Sequence, residues 1–214
     1  MRPFQHSLSS GARLSHSWEA HLPVHEFLDL SKFACADRRH RVVLHHSDLG
    51  AAIAAKVFPE RSDVQAIVDQ HVREDLGRGA NLRDWFDHCD ADQLPRPILR
   101  RVRNGAAGVA DHVAGRMPDA ARPAIDAVCD FLFSPLGYLS GNSDDALPLL
   151  MNCAGPMIVR RVFGPPRPGA TGGMIDYGWI AEAAIFTVYG RIPDLGEIVR
   201  CWTAEPVKPA AGTS

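Results

Sequence analysis

No stretch of the chain approaches the roughly 18 consecutive apolar residues that a membrane span requires. The opening segment MRPFQHSLSSGARLSHSWEAH lacks the apolar core of a secretory signal. Cysteine is sparse and scattered: Cys35, Cys89, Cys129, Cys153 and Cys201, with no CxxC pair among the five. An odd, dispersed set excludes a disulfide frame and a thiolate zinc site, and fits thiols kept reduced in a cytoplasmic protein. Neither sign of charge dominates, since 23 basic residues face 25 acidic ones for a net charge of −2. Nothing global therefore draws the chain to nucleic acid or to an anionic membrane. Aromatics are few, at 7%. Without them Arg38, Arg39, Arg41, Arg96, Arg100, Arg101 and Arg103 read as solvated helix faces rather than a nucleic-acid track. There is no Gly-x-Ser-x-Gly elbow, and GATGG is not followed by the Lys-Ser/Thr of a phosphate loop.

What is present is ordinary globular composition with one anomaly. The 214 residues are 46% hydrophobic, enough for a buried core in one large or two small domains. Histidine is unevenly placed: of ten, nine lie before Cys89 (His6, His16, His21, His25, His40, His45, His46, His71 and His88), and only His112 follows.

Helical periodicity and end signals dominate the chain. Residues 1–23 read as an irregular lead-in and 24–35 as a helix. Asp37 caps a long helix that runs to Pro59. A helix from about Val64 stops at Gly77, and a short one follows in NLRDWFDHC. Pro95 and Pro97 mark a boundary before a connecting helix. Further helices follow over AIDAVCDFLF, over NSDDALPLLMNCAGPMIVRRVF (broken at Pro148 and Pro156), and from Trp179 to Gly190. PPRPGATGG is a turn-rich loop. This is an all-α expectation: residues 1–94 as a His/Asp-rich unit, 95–204 as a connecting helix and second unit, and 205–214 as a disordered tail.

The two halves share a pattern. At an offset of 104, Val24, Phe27 and Leu28 fall on Val128, Phe131 and Leu132. At 105, Gly50, Ile53, Val57 and Phe58 fall on Gly155, Ile158, Val162 and Phe163. At 113, Ile67, Gly77, Arg78 and Leu82 fall on Ile180, Gly190, Arg191 and Leu195. The large step falls in PPRPGATGG, where added length costs little. The fold expected is thus two diverged helical repeats packed together. The differences are more informative than the identities. His25 becomes Cys129, Asp29 becomes Phe133, His45 and His46 become Leu150 and Met151, His71 becomes Ala184, and Asp75 becomes Val188. Surface polar residues drift to other polar residues, whereas drift to these types marks positions that face an interior. Inward polar groups cost about 1–3 kcal/mol each if unpaired, so several must share partners, water or a metal. His25 with Asp29 and His71 with Asp75 are each i,i+4 pairs on one helix face, and Lys32 lies on the side of the first pair.

H-E-F-L-D-L-S-K (25–32), D-R-R-H-R-V-V-L-H-H (37–46), V-F-P (57–59) and Q-H-V-R-E-D-L-G (70–77), with Trp85, carry a family resemblance. Together with His6 they resemble an uncharacterised bacterial and phage family, a domain of unknown function, over about the first 88 residues. V-F-G (162–164) and Y-G-R-I-P-D-L (189–195) resemble its closing segment. The resemblance implies relatedness and which residues matter, and it brings no reaction.

Two functional classes follow. In the first, a divalent transition metal (Zn, Mn, Fe or Co) is held by His25, His45, His71 and Asp75, with Asp29 and His40 as second shell or general base in a hydrolase-like enzyme. V-L-H-H-S-D-L-G loosely resembles a histidine–aspartate phosphohydrolase signature, but Ser47 separates His46 from Asp48. In the second class the same residues form a buried hydrogen-bond network in a binding or structural module, with Asp37–Arg41 and Asp75–Arg78 as ordinary ion pairs. The partner expected is a small-molecule substrate or a protein, with self-association allowed.

Overall fold

The computed structural model describes residues 1–14, 16–97, 105–117, 122–139, 143–169 and 173–203. The arginines at 100, 101 and 103 and the expected tail at 205–214 lie outside the described residues. The chain is mostly helical, and among the described residues its one ribbon pairs Arg167–Pro168 with Met174–Ile175. It divides into two compact units: Met1–Asp90 with the segment from Val199 onward, and Ala91–Ile198. No described helix is long and apolar enough to cross a membrane.

The first unit runs α1 (Pro3–Arg13), α2 (Trp18–Leu28), short 3-10 turns over Leu30–Phe33 and Arg38–Val43, α3 (Leu49–Val57), α4 (Val64–Leu76) and α5 (Leu82–Phe86). Helix α1 replaces the expected irregular lead-in. Pro3 suits the first helical turn, where an N–H has no partner to lose. The buried face of α1 is His6, Ser7 and Ser10 rather than an apolar stripe, which is why its periodicity gave no signal. Helix α2 begins before Pro23, in its second turn, and so forgoes one backbone hydrogen bond.

The expected long helix from Asp37 to Phe58 is two elements. Asp37 does cap the first, accepting from Arg39 N at 2.8 Å, but the chain turns at Leu44 and restarts at Asp48. Tertiary bonds hold that turn: Trp85 Nε1 donates to the His45 carbonyl, Ser47 N to the Ala80 carbonyl, and the His46 ring to the Val42 carbonyl. The Asp48 carboxylate accepts from both Leu49 N and Leu82 N, so the partial H-D signature is spent on backbone. The turn brings Gly50 so close to Leu44 that an added Cβ would collide with the Leu44 carbonyl oxygen. Gly50→Ala is therefore expected to cost about 2–3 kcal/mol by urea unfolding, where an unhindered site in a helix would gain stability from alanine. An unchanged midpoint would show that the turn can open.

The second unit runs through a 3-10 turn (Ala91–Gln93), α6 (Gly105–Ala114), α7 (Arg122–Phe133), 3-10 turns over Ser134–Tyr138 and Ser143–Leu149, α8 (Gly155–Phe163), the ribbon, α9 (Tyr177–Tyr189) and the start of α10 (Leu195–Arg200). Its local details echo the first. Gly155 sits against the Leu150 carbonyl as Gly50 does against that of Leu44. Gly77 and Gly190 end α4 and α9 in the left-handed region, at φ 77° and 73°. Phe27 meets Phe58 edge to face at 6.0 Å, and Phe131 meets Phe163 at 5.8 Å. One strand of the ribbon lies in the expected loop and the other directly after it, between α8 and α9.

Candidate metal centre

The polar interior lies in the first unit. His6, His21, His25, Asp29, His40, His45, His46, His71 and Asp75 are all buried there. The six positions singled out by comparing the halves (25, 29, 45, 46, 71 and 75) are among them, and the residues aligned with them in that comparison, Cys129, Phe133, Leu150, Met151, Ala184 and Val188, are buried too.

Helix geometry assembles the site. Residues 71 and 75 share one face of α4, and Asp29 sits at the C-terminal end of α2. The turn after Val43 delivers His45, whose carbonyl is pinned by Trp85. One atom each from Asp29, His45, His71 and Asp75 lie within 4.8 Å of one another. His45 Nε2 is 2.9 Å from His71 Nε2, 3.3 Å from Asp75 Oδ2 and 3.6 Å from Asp29 Oδ1. His71 Nε2 is 3.7 Å from Asp75 Oδ2 and 4.0 Å from Asp29 Oδ1. Bonds of about 2.0–2.2 Å at tetrahedral angles separate ligand atoms by about 3.3–3.6 Å, and the observed edges bracket that value. These four residues could hold a metal ion.

The remaining predicted residues sit around this group. His25 is not one of the four. Its Nε2 meets Ser10 Oγ at 2.9 Å and its Nδ1 meets His71 Nδ1 at 2.8 Å, so both ring nitrogens are engaged. A proton on His71 Nδ1, given to His25, leaves His71 Nε2 as a lone pair aimed into the cluster. His40 donates Nδ1–H to the Asp37 carbonyl at 2.7 Å, since a carbonyl can only accept. Its Nε2 lies 3.6 Å from Asp29 Oδ1, and neither atom has a hydrogen bond. His6 Nε2 and Asp75 Oδ2 likewise lack hydrogen bonds.

Several contributors were not assigned to the site from the sequence. His6 stacks on His71 at 4.0 Å between ring centres, bonds Glu74 at 2.7 Å and lies 3.2 Å from Asp75. Arg41 reaches Asp75 at 2.9 Å, not Asp37, which pairs with Arg39; Arg78 pairs with Asp84 instead of Asp75. Lys32 holds Asp29 at 2.6 Å, as its helix side suggested.

Protonation states suit a metal. Burial pushes the imidazolium forms down, His25 to about 3 with His6 nearby adding to the effect, and His45 to about 4. His71 is held well below its usual value by burial, with His45, His6 and His25 adding to it. Burial pushes the Asp75 carboxyl up, but the imidazoles of His45 at 3.3 Å and His6 at 3.2 Å outweigh it and hold the group low. Asp29 behaves alike, with burial overcome by His40 and Lys32. Neutral imidazoles beside ionised carboxylates are the donor forms that divalent metals take.

The fold and site thus define a mostly helical protein with a buried His/Asp cluster able to hold a metal. Residues 1–94 match the family described as "Domain of unknown function (DUF6915)". No curated protein and no solved structure matches the chain.

Proposed function

We propose that the first unit is a divalent-transition-metal site, with Asp29, His45, His71 and Asp75 as ligands, in an enzyme of hydrolase type. The observation that carries this reading is the convergence of four buried donor atoms, all within 4.8 Å of one another. His25 orients His71 from behind through the Nδ1 contact, as outer-shell partners of metal-bound histidines do. His40, with Nε2 3.6 Å from Asp29 Oδ1, is placed to serve as general base. A Zn, Mn, Fe or Co ion there would supply Lewis-acid activation of water near neutral pH. The second unit is read as a diverged copy without the site: its elements follow the same order, and apolar side chains stand at all six positions.

A non-catalytic network is the second reading, favoured by the continuous chain Ser10–His25–His71–His45, in which neutral rings can bond in relay. Elemental analysis of protein expressed in metal-replete medium separates the two. Near-stoichiometric transition metal, and a melting temperature lowered by at least 10 °C on chelation, are expected. Metal-free protein unaffected by chelator would leave only the network.

A further inference from the structure

Resting on the metal reading above, we infer that Trp202 is a positioning residue for the metal centre: it holds Trp85, and through Trp85 the ligand His45, in place. The segment from Val199 onward belongs to the first unit, although it is far along the chain from α5. Residues 201–203 lie beside 88–90, just past that helix. Asp90 N donates to the Cys201 carbonyl at 2.8 Å, and Thr203 N and Oγ1 both donate to the His88 carbonyl, at 3.2 and 2.8 Å. Cys89 and Trp202 face each other in an antiparallel bridge. The segment is a clasp, and it sets down one large side chain.

Trp202 is buried, edge to face with Trp85 at 6.1 Å and with Phe86 at 5.1 Å. Its own Nε1 has no hydrogen bond among the described residues, so its ring offers a rigid surface and not a donor. Trp85 is the next link. Its indole N–H donates to the His45 carbonyl at 3.2 Å, within the turn that presents His45 to the other donors. A bond made at the edge of an indole is directed by what packs against the ring. A second path leaves from the same residue. The Trp202 carbonyl accepts from Arg39 Nη1 at 3.3 Å, and Arg39 grips the Asp37 carboxylate at 3.1 and 2.8 Å. The Asp37 carbonyl in turn takes the Nδ1–H of His40 at 2.7 Å. Ring and backbone of one residue thus buttress the two segments that carry the ligand His45 and the proposed base His40. Losing an outer support that orients a ligand costs about 10–100-fold in metal affinity.

The test has two readouts on the full chain. One is hydrogen exchange at the Trp85 indole N–H in metal-free protein, followed by NMR, with the Val72 backbone amide in α4 reporting global opening. The other is Co2+ binding, followed by visible absorption, which is intense for a four-coordinate ion. Trp202→Met fills the seat with a flexible apolar chain. It is expected to speed exchange at Trp85 about tenfold or more relative to Val72. It is also expected to weaken Co2+ binding about tenfold or more, with a fainter absorption band. Trp202→Phe keeps an aromatic face and should restore most of both. Trp85→Phe removes the N–H and is expected to weaken Co2+ binding to the same extent, and adding Trp202→Met to it should cost little more affinity. A residue that merely adds stability would speed Trp85 and Val72 together and leave the Co2+ affinity of folded protein unchanged; that result overturns the inference while the metal reading stands. If Trp202→Met does not fold, Trp85→Phe decides: weakened Co2+ binding supports the inference, and wild-type affinity overturns it. Wild-type protein that takes up no Co2+ or other transition metal overturns the metal reading, and this inference with it.

Discussion

Asp75→Asn is expected to abolish metal loading and to cost the metal-free protein about 3–5 kcal/mol. The side chain is 1% exposed and stands among Arg41 at 2.9 Å, His6 at 3.2 Å, His45 at 3.3 Å and His71 at 3.7 Å. Asparagine keeps the shape and removes the charge that faces both Arg41 and the Met1 ammonium at 3.2 Å. The cost is that of breaking a buried ion pair from one side, which exceeds a lost surface pair by several-fold. Urea unfolding and metal content on the same sample provide the check. A loss under about 1 kcal/mol with metal retained would place Asp75 outside both roles. Leu76→Ala, one position along α4 and also buried, is a suitable comparison: it should lower stability by a cavity effect and leave metal affinity unchanged in the folded fraction.

The second large effect is acid sensitivity. His25 is held down to about 3, and His45 and His46 to about 4, from the ordinary 6.5, in each case chiefly because burial disfavours the charged ring. A pKa that is lower folded than unfolded means that the unfolded chain takes up more protons below pH 6.5. Stability is therefore complete above that pH and drains as the pH falls toward 4, by about 1.4 kcal/mol per pH unit for each fully engaged group. Several histidines acting together are comparable with the whole stability of a small domain, about 5–15 kcal/mol. Metal-free protein is thus expected to unfold on acidification before its carboxylates titrate. Asp29 and Asp75, with lowered pKa values, contribute stability that is lost only below their ordinary 3.8. Unfolding free energies measured from pH 7.5 down to 4.5 test this, and a flat profile would mean that these rings are not buried and neutral. Saturating metal should steepen the loss, because protons and the ion compete for the same lone pairs.

Much of the site was legible in the sequence, for a specific reason. Positions 25, 29, 45, 46, 71 and 75 betray their burial by the residues found at the matching places in the second half, where Leu150, Met151, Ala184 and Val188 have no reason to be apolar except an interior. The i,i+4 pairing of His71 with Asp75 follows from helix geometry alone. The rest depended on contacts distant in sequence. The break after Val43 is imposed by Trp85 and Ala80, about forty and thirty residues onward, and no local signal competes with the helical pattern of VVLHHSDLGAAIAA. Asp37 and Arg41 stay in one element, but it is a 3-10 turn, where residues four apart do not stack as they do in an α-helix, and Arg41 reaches Asp75 instead. Helix α1 escaped detection because its inward face is serine and histidine, residues that periodicity counts as polar. The assignment of His25 behind His71, with Asp29 in front, needed ring orientations that spacing does not carry.

The donors of the cluster come from far apart on the chain: the end of α2, the turn before α3, and the last two turns of α4, with His45 and His71 alone 26 residues apart. Any ion held by all four would act as a non-covalent cross-link among three segments, closing loops that the open polymer leaves free. Such a staple cannot preorganise on a fragment, since α4 by itself offers two donors and α2 one. Capture of the ion and consolidation of the N-terminal tertiary structure would then be a single cooperative event, with metal supply in the cell governing how much of the chain is folded.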